Sequence, residues 1–492
     1  MFESAELGHR IAKEEWKQEE PKLREALLNA QFDLGELKKF PVLIIIGGVD
    51  GAGKGETVNV LNEWMDPRHI YTYAFGPPTE EESDRPPMWR FWRALPPKGK
   101  IGVFFGSWYT EPIVSRVLGQ SDDARLQADV DEIFRHEKML VEEGVLLLKF
   151  WFHLSKAQQR VRLKALEKDP KTRWRVTAED WRRFKIYDDF RNVSEHVLRE
   201  TSTAAAPWIV IEGLDHRYRS LTAGRILLEA LNKRLAEDKR REKRIDAPPV
   251  MPQLDNLKLL RDLDLSQRVD KKRYDKRLEK FQGELNVLSR HKKFRKHSVI
   301  LLFEGADAAG KGSAIRRITA ALDARKYHNV PVAAPTEEER AQPYLWRFWR
   351  HVPRRNLITI FDRSWYGRVL VERVEGFAST ADWMRAYSEI NDFEEQLIQH
   401  NIILIKFWLQ ISKQEQLRRF KERQRTAFKR FKITEEDWRN RKKWGDYEAA
   451  VCDMIDRTST EIAPWTLIEA EDKLLARLKI LKTLVDRLEA AF

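Results

Sequence analysis

The sequence contains very little cysteine and no long hydrophobic run. Its one cysteine, Cys452, cannot form an internal disulfide and excludes a cysteine-cluster metal site. No apolar stretch approaches the roughly 18 residues that a membrane-spanning helix requires. The first residues are polar and acidic and lack the apolar core of a secretory signal. These absences favour a protein that works in a reducing compartment, and we expect a cytoplasmic location.

The chain is long and basic. Its 492 residues include 90 Lys and Arg against 77 Asp and Glu, which gives a net charge of +13. This length predicts more than one domain, and the hydrophobic fraction of 42% is enough to form buried cores. A basic balance favours polyanionic partners such as nucleic acid, anionic membranes or phosphate-rich substrates, but a solvated charged surface explains it equally well.

The two halves of the chain repeat one another at a constant offset of 257 residues. A constant offset over such a length indicates a duplicated domain rather than a solenoid, whose periods are several-fold shorter. We predict one repeat at residues 1–235 and a second at residues 258–492, joined by a charged, proline-containing linker at residues 236–257. Matching segments are residues 48–55 and 305–312, 78–82 and 335–339, 89–93 and 346–350, 107–109 and 364–366, 149–151 and 406–408, 179–181 and 436–438, and 206–208 and 463–465.

Each repeat alternates apolar runs with amphipathic stretches, which predicts an α/β fold. A sheet with one face exposed to solvent would show alternating apolar and polar residues, but these runs are apolar throughout. We therefore predict a parallel sheet covered by helices on both sides. The predicted strands of the second repeat are Ser298–Glu304, Leu357–Phe361, Ile402–Leu409 and Thr466–Ile468. Asp270–Phe294 and Asp382–His400 are predicted helices.

A glycine-rich loop follows the first predicted strand of each repeat, and in the second repeat it occupies residues 305–313. Its glycines let backbone N–H groups converge on an anion, and the following helix adds its positive end. The loop lacks the usual serine or threonine after its lysine, because Gly312 stands there. Asp307 is either a ligand for a metal or acceptor group, or a turn-forming residue. The predicted phosphate-binding residues are Gly305, Ala308, Ala309, Gly310, Lys311, Gly312 and Ser313.

A second motif begins at Asp362, at the end of a predicted strand. A carboxylate at the end of a strand beside a P-loop is the Walker B position, which holds Mg²⁺ directly or through water. Arg363 and Arg368 would neutralise a transferring phosphoryl group, although Asp362 and Arg363 could equally form a structural ion pair.

The first repeat has lost these charges. The offset of 257 places Phe105, Gly106 and Glu111 at the positions of the aspartate and the two arginines. Phosphoryl transfer depends on positioning and charge neutralisation, so we expect the first repeat to be catalytically inactive. Its loop keeps Asp50 and Lys54 and could still bind an anion, and the shared aromatic residues are interpreted as core.

A basic segment, residues 421–432, carries six cations against one acid, whereas residues 164–175 of the first repeat carry five against two. A mobile basic segment here would close over phosphates and exclude water, although a solvated helix face is the simpler alternative. The candidate lid residues are Arg423, Arg425, Lys429, Arg430 and Lys432. Arg347 and Arg350, three residues apart on a predicted helix, are further candidates for binding substrate.

These motifs together resemble the polyphosphate kinase 2 family. The resemblance rests on the loop at residues 305–312, the segment at residues 362–373, the Trp-Arg-Phe-Trp-Arg stretch and the basic segment before Trp438. It covers nearly all of both halves. It implies a three-layer α/β/α P-loop kinase domain, duplicated in tandem, and Mg²⁺ acting with Asp362 and Asp307. It also implies phosphate binding by Lys311, Arg363, Arg368 and Arg373.

The fused, two-repeat form is similar to the class that phosphorylates AMP to ADP with inorganic polyphosphate. The choice of AMP follows from the resemblance alone, since the sequence contains no base-reading motif. The alternatives are an ATP-dependent nucleoside monophosphate kinase and, in a different class, a basic nucleic-acid-binding protein. We expect no nucleic acid and no membrane as partners, and the sequence leaves the oligomeric state open, a homo-oligomer included.

Overall fold

The computed structural model describes residues 1–241 and 258–492. Most of the predicted linker lies outside the described residues, and its first residues continue a helix that runs through Arg241. Residues 1–78, 90–241 and 335–346 form one compact unit, and residues 79–89, 258–334 and 347–492 form a second one. Each repeat contributes one five-stranded sheet.

In the first repeat the strand order is β2-β3-β1-β4-β5, and the recorded strand pairs are parallel. The strands are β1 (Val42–Gly48), β2 (Ile70–Ala74), β3 (Ile101–Phe105), β4 (Leu146–His153) and β5 (Trp208–Glu212). The α-helices are α1 (Lys13–Leu37), α2 (Lys54–Trp64), α3 (Glu80–Ser83), α4 (Trp89–Ala94), α5 (Thr110–Val117), α6 (Asp123–Glu142), α7 (Lys156–Lys168), α8 (Ala178–Lys185), α9 (Tyr187–Thr201) and α10 (His216–Arg241). Short 3-10 helices cover Glu3–Ala5, Pro67–His69 and Arg173–Arg175.

The second repeat has the same topology, with the order β10-β9-β6-β8-β7. Its strands are β6 (Ser298–Gly305), β7 (Tyr327–Pro331), β8 (Ile358–Asp362), β9 (Ile402–Gln410) and β10 (Trp465–Glu469). The α-helices are α11 (Lys258–Arg261), α12 (Lys271–Arg290), α13 (Lys311–Thr319), α14 (Glu337–Arg340), α15 (Trp346–Trp349), α16 (Val371–Glu375), α17 (Thr380–Gln399), α18 (Lys413–Arg425), α19 (Glu435–Lys442), α20 (Trp444–Thr458) and α21 (Lys473–Ala491). Short 3-10 helices cover Lys292–Lys296, Ala324–Lys326, Trp365–Arg368 and Ala427–Lys432.

The predicted parallel α/β architecture, with helices covering the sheet, is confirmed. The four predicted strands of the second repeat differ from the observed ones by one residue at an end or at both ends. The sequence did not predict the edge strands β2 and β7, because most of their side chains are exposed and neither strand is a continuous apolar run. The central strands β1 and β6 are almost fully buried, as both-face coverage requires.

The core of each unit contains one buried lysine paired with one buried glutamate. In the second unit the Lys406 Nζ lies 2.7 Å from Glu394 Oε2 and donates to the Thr458 carbonyl at 2.7 Å. Trp365 Nε1 and the Tyr366 hydroxyl donate to the other oxygen of Glu394, at 3.0 and 2.6 Å. The first unit repeats this network with Lys149, Glu137, Thr201, Trp108 and Tyr109. The shared aromatic residues therefore belong to the core.

Among the described residues, no helix has the length and the apolar character needed to cross a membrane.

Candidate active site

The glycine-rich loop of the second repeat connects β6 to α13. Gly305 ends the strand with φ of 150°, and a side chain there would come within 2.6 Å of the Leu409 carbonyl oxygen. Gly310 precedes the helix with φ of 118°, in the left-handed region that glycine tolerates. The Lys311 Nζ folds back over the loop and donates to the Gly305 carbonyl at 2.7 Å. The loop therefore has the backbone of a phosphate-binding turn, with the lysine ammonium above it.

Arg419 of α18 donates hydrogen bonds to the carbonyl oxygens of this loop. The sequence motifs did not predict this arginine as a site residue. Its guanidinium, almost fully buried, donates to the carbonyl oxygens of Ala308 and Ala309 at 3.0 and 2.8 Å. The same group donates to the Ala470 carbonyl at 2.7 Å. Glu415, one turn earlier, accepts a hydrogen bond from Arg419 Nε at 2.5 Å and so fixes its orientation. Arg419 thus fixes two loop carbonyls, which favours a rigid, preorganised loop.

The pairing of Glu415 predicts a pH effect on stability. Burial acts to raise the pKa of Glu415, but hydrogen bonds from Arg418 and Arg419 outweigh it and lower that pKa to about 2. Stability from a carboxylate with a lowered pKa is present above its unfolded pKa of about 4.3 and is lost as the pH falls towards 2. We expect the wild type to lose on the order of 1 kcal/mol more than Glu415→Gln between pH 5 and pH 3, measured by urea unfolding.

The first repeat supplies a natural control for this prediction. Gln158 occupies the position that corresponds to Glu415 at the offset of 257, so the first repeat lacks this titrating group. If Glu415→Gln and the wild type lost equal stability over that pH range, the pairing with Arg418 and Arg419 would not be lowering the pKa of Glu415.

The Asp362 carboxylate faces the beginning of α13. A Cβ built on Gly312 would lie 3.9 Å from Asp362 Oδ2, so the glycine leaves open space between this carboxylate and the loop. The β6–β8 register pairs Phe303 with Asp362, which places the aspartate next to the strand that enters the loop. Within the described part of the chain, the Asp362 carboxylate forms no hydrogen bond or ion pair. It is therefore available to bind a cation, as the Walker B position requires.

Asp307 is held differently, because both of its carboxylate oxygens accept hydrogen bonds. The guanidinium of Arg363 lies 3.2 Å from Oδ1, and the Asn440 side-chain amide lies 3.0 Å from Oδ2. Arg363 has φ of 67°, and its backbone N–H donates to the Phe303 carbonyl. Arg363 therefore pairs with the loop aspartate, whereas the alternative from the sequence was a pair with Asp362. Asn440, from α19, was not predicted, since a single asparagine in a polar helix carries no motif.

Glu304 is a second acidic residue that the motifs missed. Burial raises the pKa of its carboxyl, while the nearby Lys311, Ser364 and Arg363 act in the opposite direction. The Ser364 hydroxyl donates to Glu304 Oε1 at 2.8 Å. The first repeat has Gly47 at this position, and a side chain on Gly47 would come within 3.0 Å of Trp151. Glu304 is therefore one more carboxyl group near the loop, at a position where the first repeat has none.

A cleft opens beside the loop in the second unit. The charged residues in its lining are Glu304, Asp307, Arg363 and Glu448. The walls include aromatic and aliphatic side chains, and the lining residues from these walls are Leu260, Leu370, Val371, Trp408, Trp444, Tyr447 and Val451. Arg363 in this lining could bind a phosphate, and the aromatic side chains could pack against a planar ring.

The basic segment is partly ordered by contacts with its neighbours. It spans the end of α18 and the 3-10 helix Ala427–Lys432, where Arg430 donates to the Gln424 carbonyl at 3.0 Å. The side chains of Lys429 and Lys432 lie outside the described residues, and Arg423 and Arg425 lie in the last turn of α18. The helix α19, which follows the basic segment, is joined to α16 by Glu375, whose carboxylate lies 3.1 Å from the side-chain nitrogens of both Arg439 and Lys443.

The remaining predicted arginines occupy varied positions. Arg368 lies 2.8 Å from Glu372, and Arg347 donates to the Ala333 carbonyl at 3.0 Å. Arg350 lies after the end of α15 and is exposed. Arg373 pairs with Asp453 at 2.7 Å, donates to the Tyr387 hydroxyl and lies over the Trp383 ring. A phosphate role for these four remains a prediction.

The first repeat has the same loop backbone but different surrounding charges. Lys54 donates to the Gly48 carbonyl at 2.6 Å, which matches the geometry of the active loop. In the first turn of α2, however, Glu56 stands where the second repeat has a serine. Its carboxylate lies 2.6 Å from Arg219, 3.3 Å from Arg162 and 3.5 Å from Arg175. A carboxylate beside the loop repels phosphate and pairs with arginines that would otherwise attract it.

The fold and this site together define a class of protein. A glycine-rich loop after the central strand of a parallel sheet, with a carboxylate at the end of the neighbouring strand, is the arrangement of a P-loop phosphotransferase. The chain carries this fold and its loop twice, and the carboxylate stands in the second repeat, where the first has Phe105.

The chain belongs to the polyphosphate kinase 2 family, whose model matches residues 10–239 and 268–491. It is 59% identical over 492 residues to a Pseudomonas aeruginosa protein named polyphosphate:AMP phosphotransferase, with coverage of 100% of this chain and 99% of that protein. A protein of the same name from Pseudomonas syringae is 55% identical at the same coverage. A Pseudomonas aeruginosa crystal structure described as a polyphosphate kinase 2 superposes with a TM-score of 0.91, at 57% identity, and covers 100% of this chain and 99% of its own.

Proposed function

We propose that the second repeat transfers the terminal phosphoryl group of inorganic polyphosphate to AMP and gives ADP. The names and full-length similarity of the relatives support the substrates. The observation that carries the proposal is the unpaired Asp362 carboxylate, which faces the start of the loop helix across Gly312. The first repeat has no carboxylate at that position, so we propose that only the second repeat is catalytic.

The chemistry is an in-line displacement at the terminal phosphorus of polyphosphate. A phosphate oxygen of AMP forms the new P–O bond, the P–O bond to the rest of the polymer breaks, and the shortened chain leaves with that electron pair. An ionised AMP phosphate is already a nucleophile, so catalysis consists of positioning and charge neutralisation. Lys311, Arg363 and the loop N–H groups hold the phosphates, and Arg419 keeps the loop rigid behind them.

We propose Mg²⁺ as the cofactor. Magnesium commonly takes one or two carboxylates, waters and substrate phosphates rather than a complete protein cage. The described residues fit this pattern, because they contain no cluster of three or more candidate ligands and the Asp362 carboxylate is unpaired. Asp362 would hold the ion, which would neutralise charge on the reacting phosphates. Both oxygens of Asp307 accept hydrogen bonds, so we assign this residue to orienting Arg363 and the acceptor.

We assign the cleft of the second unit to the acceptor nucleoside. Arg363 would bind the acceptor phosphate, and the aromatic walls suit the adenine ring. Lid cations on residues 421–432 would cover the polyphosphate chain, and we expect the reaction to occur in the cytoplasm.

The experiment that tests this function mixes AMP, Mg²⁺ and inorganic polyphosphate with the protein in the absence of ATP. We expect ADP to form and the polyphosphate to shorten, measured by ion-exchange chromatography and gel electrophoresis. ADP formation from AMP and ATP alone, without a reaction of polyphosphate, would instead identify an ATP-dependent nucleoside monophosphate kinase. Salt-sensitive DNA or RNA binding without ADP formation would contradict both kinase readings.

A further inference from the structure

One wall of the cleft comes from the short helix α11, which precedes the main body of the second repeat. Leu260 of this helix is 3% exposed and lines the cleft. The next residue, Arg261, lies 3.2 Å from Glu448 of α20, and that ion pair attaches α11 beside the cleft. Nothing in the motifs of the kinase loop predicts a contribution from this segment.

The first repeat begins with a segment that packs in a related way. Phe2, just before the 3-10 helix Glu3–Ala5, is fully buried. Its ring stacks on His153, with ring centroids 4.4 Å apart and planes 4° apart, and also on Trp151 at 6.1 Å. Glu3 pairs with Arg191 of α9 at 3.4 Å, and the Arg191 guanidinium lies 5.7 Å from the centre of the Phe2 ring.

We infer that the two segments occupy equivalent places, because two ion pairs with reversed charges hold them. At the offset of 257, Arg191 corresponds to Glu448. In one repeat the arginine of α9 pairs with Glu3, and in the other the glutamate of α20 pairs with Arg261. The residue before each partner is therefore equivalent.

Phe2 of the first repeat then corresponds to Leu260 of the second. These two residues are 258 positions apart, one more than the constant offset of 257. Phe2 stacks on Trp151 and His153, whose counterparts Trp408 and Gln410 line the cleft of the second repeat. In the first repeat, an aromatic ring of the chain itself thus covers residues whose counterparts line the cleft in the second repeat.

We propose that the residue at this place decides whether a repeat admits the nucleobase of the acceptor. Leu260 is small enough to leave room for a base ring, whereas the Phe2 ring takes that ring's place in the first repeat. The inference rests on the proposed function, because that function assigns the cleft to the nucleoside. On this inference Leu260 is a specificity-determining residue of the second repeat. In the first repeat, the side chain of Phe2 fills the corresponding base pocket.

The decisive variant is Leu260→Phe, which copies the first repeat into the second. We expect its KM for AMP to rise about tenfold or more, because the new ring overlaps the base. The KM for polyphosphate should stay within about twofold, since the proposed function assigns the part of the cleft next to Leu260 to the acceptor and not to the donor. Leu260→Met, with a similar volume and no ring, is the matched comparison and should raise the KM for AMP far less than Leu260→Phe does. An unchanged KM for AMP in Leu260→Phe would overturn the inference.

The reciprocal variant, Phe2→Leu, tests the first repeat and does not depend on Leu260→Phe folding. Adenosine is the probe, since it reports the base pocket without a phosphate. Equilibrium dialysis should find one adenosine per wild-type chain and a second one per Phe2→Leu chain, with ADP formation retained. A stoichiometry that stays at one would overturn the role of Phe2. Failure of the proposed function looks different, because the wild type would then form no ADP from AMP and polyphosphate.

Discussion

Asp362→Asn is expected to lower the rate of ADP formation by about two to three orders of magnitude. The substitution keeps the shape of the side chain but removes the negative charge that faces the loop across Gly312. The neutral amide cannot hold Mg²⁺ near the reacting phosphates with comparable strength. The metal neutralises negative charge on the transferring phosphoryl group in the transition state. The loss of that neutralisation should therefore fall mainly on kcat. Initial rates at saturating AMP, polyphosphate and Mg²⁺ measure it.

The internal duplication supplies a matched control for the loop. Lys311 and Lys54 make the same backbone hydrogen bond, at 2.7 and 2.6 Å, in the second and first repeats. If only the second repeat is catalytic, Lys311→Ala should lower kcat by about a hundredfold or more, and Lys54→Ala should leave turnover within about twofold. Equal losses in both variants would show that both repeats turn over. If Asp362→Asn formed ADP at the wild-type rate, the proposal that this carboxylate holds Mg²⁺ would be wrong.

Parts of this site were predictable because local sequence specifies them. The loop favours glycine at Gly305 and Gly310, where φ is 150° and 118°, and an apolar strand precedes it. Because the two repeats align at a constant offset of 257 residues, the sequence alone shows which charged residues the first repeat has lost. The central strands were predictable because they are buried on both faces and therefore continuously apolar.

Other parts depend on contacts between distant segments, which a motif does not encode. Arg419 reaches the Ala308 carbonyl across 111 residues of sequence, and Asn440 reaches Asp307 across 133. Each is a single polar residue within a charged helix, where solvation is the ordinary explanation. The equivalence of Phe2 with Leu260 was hidden for another reason: it departs from the constant offset by one residue, and only the reversed ion pair reveals it.

Lys406→Met is expected to lower the free energy of unfolding by about 3 to 5 kcal/mol, the typical cost of leaving a buried charge without its partner. Glu394 is 1% exposed and would keep only the neutral donors Trp365 and Tyr366. Burial already raises the pKa of Glu394, while Lys406 acts to lower it, so removing the lysine should raise that pKa further. Urea unfolding at pH 7 measures the loss.

The same pKa argument fixes the pH dependence of the Lys406→Met deficit. A carboxyl whose folded pKa is raised stabilises the fold below its unfolded pKa of about 4.3 and loses that contribution as the pH rises. The deficit of Lys406→Met should therefore shrink when the pH falls from 7 towards 4. Adding Glu394→Gln removes the unpaired charge and keeps an acceptor for Trp365 and Tyr366, so the double variant should recover most of the stability.

Lys149→Met repeats the Lys406→Met experiment in the first repeat, where Glu137 takes the place of the buried glutamate. The two networks have the same donors at nearly the same distances, so the losses should agree within about 1 kcal/mol. Such agreement would show that the pair stabilises the fold whether or not the repeat is catalytic. A loss under about 1 kcal/mol in both variants, unchanged by pH, would mean that the glutamate is neutral in the native protein and that the pair is a hydrogen bond rather than a salt bridge.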